Sequence, residues 1–224
     1  MRKPVVDYRQ FRLSRINEPR FSHLKLLLGW VVYFSLYFLT ENLIPEENCY
    51  PVHMWLDDLI PFNEYFVIPY TFWYFLIVFS LGYFALYDIP KFRALQIFIM
   101  SVQFMGMAIY IIFPNRQDLR PEVFANDNVF TRLIGFMYQF DTNTCVCPSM
   151  HCAYSIGIMS TWLKDKTAHP AWKAFIVFSV IMICLSTMFI KQHSAVDFFA
   201  ALPVCVVAEV IAYRGYWKEK RKKA

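Results

Sequence analysis

Apolar residues run along the chain in long blocks, separated by short stretches rich in charge, proline and asparagine. A helix that crosses the hydrocarbon layer needs about 20 predominantly apolar residues. The blocks at 26–43, 65–87, 94–113, 149–163, 172–189 and 195–213 are read on that basis as six transmembrane helices. The first of them lacks a small-residue cleavage site on its far flank, so it reads as a helix and not as a cleaved signal peptide. Between the third and fourth blocks, Asn126-Asp127-Asn128 offers a helix cap. Val129, Phe130, Leu133, Ile134 and Met137 then give the following turns one apolar face, which predicts a short interfacial helix. The expected fold class is all-α: an integral membrane six-transmembrane-helix bundle with one short interfacial helix.

Composition supports this reading. Of 224 residues, 58% are hydrophobic and only 17% charged, a balance unlike that of a soluble domain. With no internal repeat or linker, 26–213 reads as one membrane domain between basic cytoplasmic tails at 1–25 and 214–224. The net charge of +5 is explained by where the basic residues fall, without any nucleic-acid partner. If both termini are cytoplasmic, the inner loops and tails hold nearly all lysine and arginine, and the outer side holds only Arg116, Arg120, Arg132 and Lys191. That is the asymmetry of the positive-inside rule. A cation placed against this grain implies an anionic partner, although Arg132 suits a headgroup anchor better.

The candidate chemistry lies on the same outer face. Cys147-Pro148-Ser149-Met150-His151 stands where a polar loop becomes an apolar helix. Pro148 suits the first helical turn, and Ser149 and His151 would share that turn with unpaired backbone N–H groups, which attract phosphate. In His193-Ser194-Ala195-Val196-Asp197, His193 and Asp197 are spaced to share one helix face. With the amino terminus inside, Arg120, His151 and His193 all emerge outside, at two helix starts whose dipoles favour negative charge. His23, His53 and His169 read as ordinary loop histidines. The six cysteines lack paired metal spacing, and Cys147, His151 and Cys152 have no second ligand pair, so no metal and no cofactor are expected. A bridge from Cys49 to Cys145 or Cys147 is compatible with their shared outer placement.

These residues resemble the motifs of the type 2 phosphatidic-acid phosphatase superfamily, which includes lipid phosphate phosphatases and vanadium haloperoxidases. Arg120-Pro121 is similar to the end of its first motif. Pro148-Ser149-Met150-His151 is similar to Pro-Ser-Gly-His, and Ser186, His193 and Asp197 match the spacing of the third. Phe113 stands where the family carries lysine, and Thr187 where it carries arginine. Arg116 and Lys191 are near enough in sequence to replace them. Motifs loosened in this way also resemble those of sphingomyelin and inositol-phosphoceramide synthases.

The resemblance implies a metal-free membrane lipid phosphatase that hydrolyses a phosphate ester or pyrophosphate of a lipid. In it His193 is the nucleophile and forms a phosphohistidine, Asp197 holds its tautomer, and His151 is the general acid and base. Arg120, Ser149, Arg116 and Lys191 bind the phosphate oxygens. The alternative is a lipid phosphotransferase that moves a headgroup between lipids. More distant is a non-catalytic lipid-binding protein. A transporter would need polar residues deep in several spans. The expected partners are a lipid phosphate and the bilayer itself. The small size and outward site suit a bacterial plasma membrane, and an endoplasmic-reticulum location fits the same topology.

Overall fold

Five helices of the computed structural model, which describes residues 3–216, are long and apolar enough to cross a bilayer. The basic run Lys218–Lys223 and Arg2 lie outside the described residues. A 3₁₀ segment, Ser22–Leu27, leads into α1 (Leu28–Leu43). The short α2 (Trp55–Leu59) precedes α3 (Val67–Tyr87). Next come α4 (Ile89–Ile112), the surface helix α5 (Val129–Phe140), α6 (Met150–Lys164), α7 (Pro170–Phe189) and α8 (Ala195–Ala212). Among the described residues the only strands are Tyr50–Pro51 (β1) and Asn115–Arg116 (β2), which pair in parallel.

Local chemistry explains most helix ends. Asp88 accepts the Lys91 N–H and Pro90 occupies the first turn of α4, so that helix starts at Ile89 and not near 94 as the apolar block suggests. Asn128 accepts the N–H groups of Phe130 and Thr131 and opens α5. Ser194 caps α8, and Asp197 returns a bond to the Ser194 N–H, a capping box.

The fourth apolar block behaves differently from the others. α6 has 15 residues, about 22 Å at 1.5 Å per residue, which is short of the ~30 Å hydrocarbon layer. It packs against α3, α4, α7 and α8 and is buried along most of its length. Its serine, threonine, cysteine and glycine content therefore faces protein. A Cβ on Gly157 would sit 2.4 Å from Cδ1 of Phe98, so only glycine allows α6 this close to α4. Trp162 Nε1 donates to Ser80 Oγ at 3.0 Å and ties α6 to α3.

The amino-terminal segment is anchored. Tyr8 Oη donates to the Ala85 carbonyl at 2.7 Å and lies 2.6 Å from Nε2 of His23. Phe21 and His23 are buried, so His23 is a packing residue and not a loop histidine. Cys49, Cys145 and Cys147 are free thiols, and no bridge links them.

Candidate functional site

The loop before α6 is built on Asn115. Its Oδ1 accepts the N–H groups of Val146 and Cys147 at 3.0 and 2.8 Å, and its Nδ2 donates to the Cys147 carbonyl at 3.0 Å. Tyr110 Oη donates to the Pro148 carbonyl at 2.6 Å. This clamp holds Pro148 ahead of the helix and not within its first turn. Ser149 is the N-cap, and its Oγ accepts the Cys152 N–H at 3.4 Å. His151 lies in the first turn of α6. Burial raises the thiols of Cys145 and Cys147 to about 12, so both are neutral.

The second histidine is set by the turn between α7 and α8. Lys191 takes a left-handed conformation (φ 54°), and the Thr187 carbonyl accepts the N–H groups of Gln192 and His193 at 2.9 and 3.0 Å. His193 Nδ1 lies 3.0 Å from Asp197 Oδ2, which also accepts the Ser194 N–H at 3.0 Å. The carboxylate makes Nδ1 the protonated nitrogen and leaves Nε2 with its lone pair. That Nε2 lies 3.2 Å from Nδ1 of His151. The two histidines and Asp197 thus form one hydrogen-bonded series. The His151 ring is held by Trp73 and Tyr70, with centroids 4.1 and 4.6 Å away, and its buried Nε2 has no protein partner. Burial alone would lower the pKa of His193. The hydrogen bond and charge of Asp197 outweigh burial and raise it above the ordinary 6.5.

The remaining predicted site residues are engaged by protein oxygens. Arg120 donates through Nη2 to the carbonyls of Asp141 and Thr142 and to Gln192 Oε1, at 2.5, 2.8 and 2.5 Å. Its Nη1 reaches the Tyr138 carbonyl at 3.2 Å. Lys191 Nζ donates to the carbonyls of Asp57 and Ile60 at 3.0 and 2.5 Å. Burial lowers its pKa, and Asp57 and Asp58 oppose that shift. Arg116 bonds Asp118 and the Glu46 carbonyl near the surface. Thr187, where the resemblance calls for arginine, turns its hydroxyl back to the Cys184 carbonyl.

Beside the histidines lies a cavity of about 520 Å³. His151, His193, Gln192, Asp141, Thr142 and Thr144 form its polar end, and side chains chiefly of α1 and α3, joined by Tyr110, Met150 and Tyr154, form the rest. Among the described residues no lysine or arginine lines it. Asp141 Oδ2 accepts from Tyr70 Oη at 2.7 Å and Gln192 Nε2 at 2.9 Å. Among the described residues, no group of three or more His, Cys, Asp or Glu is placed to hold a metal ion.

Sequence reasoning missed Asp57, Asn115, Asp141 and Gln192. The buried Asp57 accepts the Ala195 N–H at 2.7 Å, the Ser194 hydroxyl at 2.5 Å and the Met54 N–H at 2.9 Å, so it caps α8 from the distant α2. In the sequence it is one of several acidic residues in an outer loop, and nothing local marks it. The chain matches no family model, no curated protein and no solved structure.

Proposed function

We propose that the protein is a membrane lipid phosphatase that works through a phosphohistidine on His193. The observation that carries this reading is the hydrogen-bonded series Asp197–His193–His151, with a reactive nitrogen at the polar end of a largely apolar cavity. Nε2 of His193 attacks phosphorus, and the bond from phosphorus to the leaving oxygen breaks as His151 protonates that oxygen. His151 then takes a proton from water, whose oxygen attacks the phosphohistidine and frees His193. Phosphorus reaches Nε2 only when Nδ1 of His151, now 3.2 Å away, moves aside. The amino ends of α6 and α8 favour the anion. Arg120 and Lys191 brace the surrounding loops through carbonyl contacts, and Ser149 caps α6. Arg116 stays near the surface.

In this reading α6 joins the five long helices as a sixth span, shorter because protein surrounds it. Both termini are cytoplasmic, and the site opens on the outer face of a plasma membrane. The distribution of basic residues along the sequence supports that orientation. The motifs resemble those of the type 2 phosphatidic-acid phosphatase superfamily.

One observation favours headgroup transfer as a second reading. Among the described residues no lysine or arginine lines the cavity, and a phosphodiester, with one negative charge, needs less compensation than a phosphomonoester with nearly two. Here an acceptor alcohol replaces water in the second step. Purified protein in mixed micelles, given labelled phospholipids and lipid phosphates, separates the two. Phosphate release that His193→Ala abolishes supports the phosphatase, and label moved to an acceptor lipid supports transfer. Full activity in His193→Ala overturns both.

A further inference from the structure

The cavity beside the histidines has a direction. Its histidine, aspartate, glutamine and threonine side chains are gathered at one end, around His151, His193 and Asp141. From there it follows α3 from Trp73 to Leu81, about 12 Å at 1.5 Å per residue. Its opposite wall is α1 from Trp30 to Tyr37. No ionisable carboxylate, lysine or arginine belongs to that stretch of either wall.

The packing of α1 explains why the space exists. α1 is drawn onto α4: a Cβ on Gly29 would sit 2.9 Å from Met100 Cγ, and Thr40 Oγ1 donates to Met107 Sδ at 3.5 Å. It meets α6 through the Trp30 and Tyr154 rings, 5.5 Å apart. Against α3, cavity takes the place of a packed seam. The residues at the edge of that cavity are also on the apolar outer surface: Phe34 of α1 is 57% exposed and Val78 of α3 is 72% exposed. The cavity is therefore open sideways, toward the region where lipid chains would lie.

We propose that this cavity seats one hydrocarbon chain of the substrate lipid, which enters sideways from the bilayer between α1 and α3. The inference rests on the phosphoryl-transfer reading for the identity of the polar end. A volume of about 520 Å³ falls within the range of single-ligand pockets. The gradient from histidines to aliphatic side chains is that of an amphiphile lying with its phosphate at His193. The buried Nε2 of His151, without a protein partner, supplies a polar contact at the headgroup end. The occupant is a membrane lipid and not a soluble phosphate ester, because a hydrocarbon chain passes from the bilayer to this apolar wall at little cost, whereas a soluble ester would bring polar groups against it without hydrogen-bond partners.

The test uses the full chain with His193→Ala, in maltoside micelles, and a phosphatidic acid carrying a dibrominated acyl chain. Bromine quenches nearby indoles, and Trp30 lines the deep part of the cavity. The Trp30 component is the quenching lost in Trp30→Phe. The expected result is saturable quenching, reversed by the unbrominated lipid and weakened about tenfold or more by Val78→Trp, while Val78→Ala leaves it in place. Val78 faces outward, so the larger side chain burdens the opening and not the core. Quenching that rises in simple proportion to lipid content, indifferent to Val78→Trp, overturns the proposal, because Trp30 then senses only bulk lipid. Turnover by the unsubstituted protein is measured alongside. Turnover with proportional quenching overturns the seat alone, and saturable quenching without turnover on any lipid phosphate or phospholipid overturns the enzymatic reading alone.

Discussion

The backbone N–H of Ser149 donates to the backbone carbonyl of Asp197 at 3.0 Å. This one bond joins the start of α6 to the first turn of α8. His151 lies in the first turn of α6 and His193 in the turn just before α8, so the bond brings the two backbones that carry the rings together. Side chains add the rest: Asp197 orients His193, and Trp73 with Tyr70 orients His151.

Asp197→Asn is expected to lower turnover by about three to four orders of magnitude, as loss of an orienting carboxylate does in other histidine-dependent enzymes. The amide no longer selects the Nδ1–H tautomer, and Nε2 loses its free lone pair. Turnover on a lipid phosphate, measured beside circular dichroism in micelles, checks this. Near-normal turnover with normal helicity would remove Asp197 from the mechanism.

The pH profile should follow His193. Its pKa is raised in the folded protein, so the contribution of the protonated ring to stability is fully present below 6.5 and is lost as pH rises through the higher folded value. Attack needs the unprotonated Nε2, so activity should rise with pH through a midpoint above 6.5. Asp197→Asn should move that midpoint down, because burial is then opposed only by the charges of Cys152 and Asp141. Nitrogen-15 spectra of labelled histidine across pH give the midpoint directly, and a value below 6.5 in the unsubstituted protein contradicts the assignment.

Asp57→Ala should destabilise the fold without touching the histidines. The change removes the distant cap of α8, worth about 1–2 kcal/mol, and leaves the Ala195 N–H and Ser194 hydroxyl without their acceptor. Thermal unfolding in detergent should show a lower midpoint, with Asp57→Asn retaining part of the loss. An unchanged midpoint would mean that solvent replaces the carboxylate.

Arg120→Lys separates bracing from phosphate binding. A lysine cannot span the four oxygens that the guanidinium holds. Charge-assisted bonds of this kind contribute about 1.5–3 kcal/mol each. The thermal midpoint should fall, while inhibition of turnover by added inorganic phosphate should keep its midpoint concentration. A weakened phosphate effect at unchanged stability would assign Arg120 to the substrate.

Gly157→Ala tests how closely α6 packs on α4. The methyl group would meet Phe98, whose Cδ1 is 2.4 Å from the added Cβ. Overpacking of this kind costs about 1–3 kcal/mol. Phe98→Leu should recover part of the loss in the double variant, and the same thermal measurement reads it.

The apolar blocks, the cap in Asn126-Asp127-Asn128 and the spacing that pairs His193 with Asp197 were legible in the sequence, whereas the caps at Asp88 and Ser194 were not read from it. Each depends on residues within about one or two turns, where helical periodicity and capping dominate. Tertiary structure alone decided which partners meet across the chain. His151 and His193 are 42 positions apart, and only the packing of α6 against α8 brings them into contact. Asp57 reaches Ser194 across 137 positions, and no local pattern marks it as a cap. The fates of Arg120 and Lys191 were hidden for the same reason. A long cationic side chain takes whichever oxygens the folded loops bring within reach, and here these are carbonyls of the 138–142 and 57–60 segments. Hydropathy likewise marked α6 as one more span, but its burial follows from the four helices packed around it.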